Sequence, residues 1–338
     1  MSWFKWAISL VFLSSCYLPS LLIPEREEPN LAYNFPSPRP DWSQFRVTGY
    51  LPTYRLSAIE PSRLPYLTDL VFFAGTPNAD GSLNINKSQH SQWQQVKRWG
   101  QEYHLRIHLG VKDLGDLPYE QSLAKITASP NLRQRFVQSL TTQALEHGFA
   151  GVDIDWEYPR GESLGHFVAF LKDLRAAFDP YGLELSIALS PYAPVLSESY
   201  QYVDQVHLMS YDDKGIHSSY EKTVQHLKII LKQVPPHRVL LGLPFYGRLN
   251  STSRMGQAMS YRDIVKTFGP RPDDDHAGGF YYNGPQTIAQ KTRLARRSGL
   301  LGVMVWELGQ DAPGEASLLQ AITQSLYEYT PLVALRQR

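Results

Sequence analysis

The chain has 338 residues, of which 43% are hydrophobic and 19% are charged, and its formal net charge is +1. This length suits a single large α/β domain, and the near-neutral charge argues against a nucleic-acid partner, which would need a concentrated basic surface. The chain also has no internal repeat of roughly 20–50 residues and no GxGxxG or Walker-type loop, which excludes the usual signatures of solenoids and nucleotide-binding domains.

The first segment of the chain has the pattern of an export signal. A charged start is followed by an apolar run and then by Cys16, the only cysteine in the sequence. The tetrapeptide LSSC that ends at Cys16 resembles a bacterial lipobox, in which the cysteine is lipidated and becomes the mature N-terminus. We therefore predict a signal peptide over residues 1–15 and a membrane-anchored lipoprotein. An uncleaved anchor, broken by Pro19, and conventional secretion are the alternatives.

The domain boundaries follow from composition. Residues 16–43 are rich in proline and charge, which predicts a semi-rigid tether between the membrane and the folded body. A single folded domain is predicted over residues 44–328 and a short tail over 329–338, and we expect the protein to be a monomer.

From residue 46 onward, short β-like runs alternate with amphipathic helix-like stretches. The predicted strands cover 46–54, 67–75, 105–112, 150–158, 183–190, 203–212, 239–247 and 301–308. Such alternation predicts βαβ units and a parallel sheet, and this number of units predicts a closed (β/α)8 TIM barrel. An open doubly wound sheet is the alternative, but it usually carries a nucleotide loop that this chain lacks.

The fourth predicted strand carries Asp153, Asp155 and Glu157 at alternate positions. Alternate side chains of a strand share a face, so the acids form one row and the apolar residues between them, ending with Trp156, form the other. An antiparallel strand with its acids in water would show the same pattern. In a barrel both faces are covered, so we predict that Trp156 packs in the helix layer and that the acids point inward, toward the carboxyl-terminal mouth.

The region between the seventh and eighth strands is short, at about fifty residues. We predict a helix over 260–268, a loop over 269–283 and the ordinary barrel helix after it, which leaves room only for a short insertion and an open, shallow cleft. The acidic run at 273–276 could suggest a metal site, but the Gly and Pro residues around it favour a solvated loop.

The acid row resembles the DxxDxDxE signature of glycoside hydrolase family 18, the chitinases and related endo-β-N-acetylglucosaminidases. Further segments resemble that family in chain order over about residues 46–323: GY at 49–50, MSYD at 209–212, GLPFYGR at 242–248 and GVMVWE at 302–307. Two departures are evident. Ala150 replaces the first Asp of the signature, and the third strand, LGVKD at 109–113, lacks the usual Ser-x-Gly-Gly.

The resemblance implies a retaining glycosidase whose nucleophile is the 2-acetamido oxygen of the substrate, with no cofactor and no metal. Glu157 would be the acid, because acids this close share protons and so keep one available to it. By resemblance, Asp155 would hold the acetamido N–H and stabilise the oxazolinium, with Asp153 as its deeper partner. Tyr211 would bind the acetamido oxygen and Asp212 would help to fix the distorted sugar, and the expected substrate contacts are Trp306, Tyr50, Met209, Tyr246 and Phe72.

The predicted substrate is a polysaccharide or oligosaccharide of β-1,4-linked N-acetylglucosamine. A non-catalytic chitin-binding lectin of the same fold is one alternative, although lectins of this kind typically lack the acid that Glu157 supplies here. An endo-β-N-acetylglucosaminidase that acts on peptidoglycan or N-glycan cores is the other.

Overall fold

The computed structural model of the chain describes residues 45–84, 90–113, 122–156, 159–249 and 256–327. Its strands are β1 Arg46–Pro52, β2 Asp69–Pro77, β3 Leu83–Asn84, β4 Arg106–Asp113, β5 Gly151–Trp156, β6 Glu184–Leu189, β7 Gln205–Leu208, β8 Val239–Pro244, β9 Tyr246–Leu249, β10 Ala258–Ser260, β11 His276–Ala277, β12 Phe280–Tyr281 and β13 Gly302–Trp306. Its α-helices are α1 His90–Glu102, α2 Leu123–Ala128, α3 Pro130–His147, α4 Ser163–Phe178, α5 Tyr220–Ile230, α6 Tyr261–Phe268, α7 Pro285–Arg297 and α8 Leu318–Tyr327.

Eight parallel strands close into a barrel in the order β1, β2, β4, β5, β6, β7, β8 and β13, and β13 pairs with β1. Each strand overlaps one of the predicted strands, and helices occupy most of the connections between them. The predicted (β/α)8 TIM barrel is therefore confirmed. None of the helices in the described ranges is long and apolar enough to cross a membrane. The predicted signal peptide, Cys16 and the tether lie outside those ranges.

The acid-bearing strand β5 is buried on both faces, as a barrel requires. Val152, Ile154 and Trp156 belong to the large apolar core between the barrel and its helices. The Trp156 ring meets Phe167 of α4 edge-on, with 5.3 Å between the ring centroids. Because side chains alternate along a strand, Asp153 faces the barrel interior, and the orientation predicted for Asp153 and Trp156 is confirmed.

A small α+β insertion follows β8. Strands β9 to β12 form an antiparallel sheet in the order β10-β9-β12-β11, and α6 connects β10 to β11. The predicted helix at 260–268 is confirmed by α6, but the predicted loop at 269–283 is wrong in part, because it contains β11 and β12. These strands have two residues each and are joined by Gly278 and Gly279 at φ +55° and +82°, so they show no readable periodicity.

Five ionisable side chains fill the amino-terminal end of the barrel. Arg46 binds both oxygens of Glu184, at 2.6 and 2.8 Å. Asp69 accepts from Arg106 at 2.8 Å and lies 3.0 Å from His108 Nε2. Burial by itself would raise the pKa of Asp69, but His108, Arg106 and Thr68 lower it from 3.8 to about 2. This ionic cluster replaces part of the apolar filling that a barrel interior usually has.

We expect Asp69 to make folding sensitive to acid. Its pKa is lower in the folded chain than in the unfolded chain, so the stability it contributes is complete above its unfolded pKa and is lost as the pH falls toward about 2. The difference corresponds to about 2 kcal/mol in the free energy of unfolding. Denaturant titrations of the wild type and Asp69→Asn at about pH 5 and pH 2 measure it. Equal losses of stability in the two proteins would contradict this role.

Candidate active site

Two acids of the row lie inside the barrel and are almost completely shielded from solvent. Asp153 is 0% exposed; Ser186 of β6 donates to its Oδ1 at 2.5 Å, and the Tyr50 hydroxyl of β1 lies 2.7 Å from its Oδ2. Asp155 is two residues nearer the carboxyl end of β5 and is also buried. The predicted acid Glu157 lies outside the described residues. The row therefore reaches the carboxyl-terminal half of the barrel, where barrel enzymes bind substrate.

Tyr50 links the acids to the aromatic side chains of the interior. Its hydroxyl lies 2.7 Å from Asp153 and also 2.7 Å from His207 Nδ1. Its ring lies 5.7 Å from the ring of Trp306 and 6.1 Å from that of Phe73. Burial, and then the nearby carboxylates, raise the pKa of Tyr50 well above its ordinary value. The hydroxyl therefore keeps its proton throughout the neutral range.

Asp212 lies just beyond β7 and is held by a cation and a phenol. Arg248 of β9 binds both of its carboxylate oxygens, one of them at 2.8 Å, and Tyr246 donates to it at 2.7 Å. Burial alone would raise the pKa of Asp212, but the bonds from Arg248, His217 and Tyr246 hold it well below its usual range. Asp212 is therefore a fixed anion, and its backbone has φ +64°, a conformation that a non-glycine residue adopts rarely and often at functional sites.

Met209 and Tyr211, on the same segment, pack against the apolar cluster inside the barrel. Tyr211 meets Tyr246 edge-on, with 6.2 Å between the ring centroids. A Cβ at Gly242 would lie 2.9 Å from the Tyr211 ring and 2.4 Å from the Leu208 carbonyl oxygen. Any other residue at position 242 would therefore force Leu208, Met304 or Tyr211 to shift.

The predicted contact Phe72 does not lie at the site. Phe72 packs in the helix layer, 6.1 Å from the ring of Trp93. Its neighbour Phe73 faces the barrel interior and meets Trp306 edge-on at 5.6 Å. The strand has apolar residues on both faces, so the sequence alone does not show which of the two phenylalanines points inward. Phe73 replaces Phe72 among the candidate residues.

Two further candidate positions, Trp306 and Tyr246, lie beside these residues. Trp306, at the end of β13, lies against Tyr50 and Phe73, and Tyr246 reaches Asp212 from β9. Ala150, which replaces the first Asp of the signature, lies just before β5. Its backbone N–H donates to the Ile107 carbonyl at 2.7 Å, so the part it plays here is in the sheet rather than in the acid row.

Sequence analysis did not identify four polar residues that contact the site residues directly: Arg248, Ser186, His207 and His217. Arg248 is the last residue of the GLPFYGR segment, so the resemblance could have indicated it. Ser186 and His207 carried no signal in the sequence, because the importance of each depends on its pairing with a neighbouring strand.

One group of metal-ligating type stands out among the residues that the structure describes. Asp69, His108 and Glu184 bring one ligand atom each within 4.8 Å of one another. Arg46 and Arg106 already bind these carboxylates, so their guanidinium groups take the positions that a cation would need.

In the acidic run at 273–276, Asp274 pairs with Arg271, and Asp275 accepts from Gly284 and Thr287. The carboxylates in both places are bound by other groups of the protein.

The arrangement combines buried acids, a fixed anion and a cluster of aromatic rings at one end of the barrel. Buried acids held by hydroxyl groups suit proton transfer. Aromatic rings beside fixed hydrogen-bonding groups suit a ligand that has both apolar faces and polar edges. A sugar ring has both features.

Comparison with known proteins agrees with this geometry. A family model described as "Glycosyl hydrolases family 18" matches residues 46–311. "Probable chitinase 2" of Drosophila melanogaster is 26% identical over 278 residues, which cover 62% of this chain and 56% of that protein. This chain thus spans little more than half the length of that relative.

Two solved structures are similar as well. The GH18 chitinase ChiB from the chitin utilization locus of Flavobacterium johnsoniae superposes with a TM-score of 0.74 at 26% identity, covering 84% of this chain and 94% of that one. A chitinase from Bacteroides thetaiotaomicron superposes with a TM-score of 0.76 at 26% identity, covering 84% and 97%.

Proposed function

Because this chain belongs to glycosyl hydrolase family 18, we propose that it is a retaining glycosidase that cleaves β-1,4-linked N-acetylglucosamine chains through the substrate's 2-acetamido group. The observation that carries the proposal is the pair Asp153 and Asp155, buried inside the barrel, where Tyr50 joins Asp153 to the ring of Trp306. Acids are rarely placed in an interior that apolar side chains usually fill, so two of them in this position favour a catalytic purpose over a structural one.

The chemistry requires a proton donor for the leaving oxygen and a counter-charge for the sugar cation. Glu157 donates the proton, and the acetamido oxygen attacks the anomeric carbon to form an oxazolinium ion. Asp155 accepts the acetamido N–H and stabilises the positive charge that develops on the ring. Water then opens the oxazolinium, so the anomeric configuration is retained.

The remaining side chains position the sugar. Tyr211 hydrogen-bonds the acetamido oxygen and aligns it for attack, which is a proximity effect that can contribute several kcal/mol to the rate. Asp212, kept anionic by Arg248, holds a sugar hydroxyl, and Trp306 supplies an apolar face beneath the ring.

Two exposed tyrosines extend this binding surface beyond the barrel interior. Tyr54 follows β1 and is 71% exposed, and Tyr192 follows β6 and is 60% exposed. Both positions are at the carboxyl-terminal side of the barrel, where the loops form the mouth. The Tyr192 hydroxyl lies 3.2 Å from His226 Nε2, and the two rings meet edge to face at 5.3 Å, which fixes the position of the tyrosine ring. Ordered exposed rings of this kind suit further sugar units of an oligomer in an open cleft.

A panel of substrates tests the proposal. Chitin oligomers, peptidoglycan and a high-mannose glycopeptide are incubated with the protein, and NMR records the anomer that forms first. We expect the β-anomer from one of these substrates. The matched glucosamine oligomers, which lack the acetyl group, should not be cleaved, because they have no internal nucleophile. An α-anomer as first product, or equal cleavage of the deacetylated chain, would contradict the mechanism.

We also propose that the protein is exported and held at a membrane by a lipid on Cys16. The support is the LSSC tetrapeptide after an apolar run, followed by the Pro-rich and charged residues 16–43. Labelling with a fatty-acid analogue should tag the wild type and not Cys16→Ser. An untagged wild type would instead favour an uncleaved anchor or free secretion.

A further inference from the structure

A chain of hydrogen bonds connects the ionic cluster at the base of the barrel to the acid row. Glu184 on β6, Gln205 and His207 on β7, Tyr50 on β1 and Asp153 on β5 follow one another, each within 3.2 Å of the next. All but Glu184 are buried, so water has little access to the groups between the two ends. The ionised state of Glu184 decides which group donates and which accepts at each step along this chain.

Glu184, at one end of this chain of hydrogen bonds, is a carboxylate. Burial would raise its pKa, but two hydrogen bonds from Arg46 and the charge of that residue lower it. An ionised carboxylate only accepts hydrogen bonds, so the Gln205 amide nitrogen must be the group that faces it, at 2.7 Å. The amide oxygen of Gln205 then faces His207 Nε2 at 3.2 Å. An oxygen acceptor at this position requires a proton on Nε2.

Tyr50 then has one proton for two neighbours. If His207 is neutral and carries its proton on Nε2, its Nδ1 is a bare acceptor and must receive the Tyr50 hydroxyl proton. The Tyr50 oxygen still lies 2.7 Å from Asp153 Oδ2, and this contact then needs a proton from Asp153. If instead Tyr50 donates to Asp153, then Nδ1 must be protonated as well and His207 is a cation.

We propose that His207 is a buried proton store for the acid row, exchanging one proton with Asp153 through Tyr50, and this role in turnover rests on the proposed function. In the resting state Asp153 is a neutral acid and His207 is a neutral imidazole. In the charged state the Asp153 proton has moved to the Tyr50 oxygen while the Tyr50 proton has moved to His207 Nδ1. The shift leaves a carboxylate at Asp153 and an imidazolium at His207, with no proton exchanged with solvent.

The surroundings of His207 favour the neutral imidazole until a positive charge forms on the substrate. Burial lowers the pKa of His207, and even an ionised Asp153 would oppose this effect only in part. The ionisable groups that face the imidazole come from four strands: Arg46 and Tyr50 on β1, Asp69 on β2, His108 on β4 and Asp153 on β5. An oxazolinium cation near Asp155 would favour a carboxylate at Asp153. The relay produces this carboxylate at the moment when the positive charge of the oxazolinium forms.

Nitrogen NMR of the histidine rings in the purified protein tests the resting state without any substrate. The His207 signal is the one that disappears in His207→Gln. We expect a neutral ring near pH 7 with Nε2 protonated and Nδ1 bare. A proton on Nδ1, or an imidazolium in the free protein, would overturn the proposal.

The charged state is tested with the thiazoline analogue of N-acetylglucosamine, which carries a positive charge when it is protonated. At saturation, verified by calorimetry, His207 should become an imidazolium, and a ring that stays neutral would overturn the relay. An absence of binding would count against the proposed function instead, and the free-protein spectrum would still decide the proton positions.

Kinetics give a third measurement. His207→Gln keeps a hydrogen-bonding group near Tyr50 but cannot take up a proton, so kcat should fall roughly 10- to 100-fold with little change in KM. His147→Gln is the matched control, because that ring packs against Trp93 in the helix layer and should leave kcat unchanged. Gln205→Met should disturb the His207 tautomer in the spectrum even if His207→Gln folds poorly. A wild-type kcat in a folded His207→Gln would contradict the relay.

Discussion

Replacing Glu157 with glutamine should lower kcat by roughly 10²–10⁴-fold while binding of the oligosaccharide persists. Glutamine keeps the shape of the side chain but has no proton that it can transfer to the leaving oxygen. Turnover of chitin oligomers and calorimetric binding of the same oligomers measure the two effects separately. The matched control is Glu162→Gln, an exposed position a few residues further along the chain, which should behave like the wild type.

An activated substrate makes this test more specific. An aryl glycoside with a good leaving group needs no proton from the protein, so it should recover much of the activity that Glu157→Gln loses. Wild-type turnover of natural oligomers by the variant would falsify the assignment of Glu157. An equal loss of kcat on natural oligomers and on the aryl glycoside would also contradict the assignment, because the role of Glu157 would then not be proton donation to the leaving group.

Asp155→Asn is the second variant for which we expect a large loss, about 10²–10³-fold in kcat. Asp155 is buried inside the barrel, where a carboxylate interacts strongly with a positive charge. Asparagine fills the same space and can still accept a hydrogen bond from the acetamido group, but it has no charge with which to stabilise the oxazolinium. A good leaving group should not rescue this variant, because the charge on the sugar develops whichever group departs.

The contrast between the two variants separates proton donation from charge stabilisation. Asp179→Asn, in the exposed segment after α4, is the matched control for Asp155→Asn. If the aryl glycoside restored Asp155→Asn as fully as Glu157→Gln, Asp155 would belong to acid catalysis and the proposed division of roles would be wrong.

The proton store at His207 has a bearing on both results. The relay makes Asp153 a carboxylate without releasing a proton to solvent, and this matters most when the sugar carries its positive charge. The loss of kcat in His207→Gln should therefore resemble a smaller version of the loss in Asp155→Asn, and not that in Glu157→Gln. The double variant His207→Gln/Asp155→Asn should therefore lose less than the product of the two single losses, because residues that act on the same charge are not additive.

The sequence by itself determined the barrel and the face on which the acids lie. Strands that alternate with helices can bury both of their faces only in a parallel arrangement, and the alternation of Asp153 and Asp155 with Ile154 and Trp156 follows from the two-residue repeat of a strand. Both properties are local, so they can be read from neighbouring residues. The resemblance to the family added Tyr211, Asp212 and Trp306, which the fold brings to the same end of the barrel.

Only the tertiary structure decided which of Phe72 and Phe73 reaches the site, since β2 is apolar on both faces and its pairing with neighbouring strands sets the choice. The same holds for the proton chain. Tyr50 meets Asp153 across 103 residues of sequence and His207 across 157. No local pattern encodes such contacts, because they arise when the barrel closes and brings the interior side chains of distant strands to the same height.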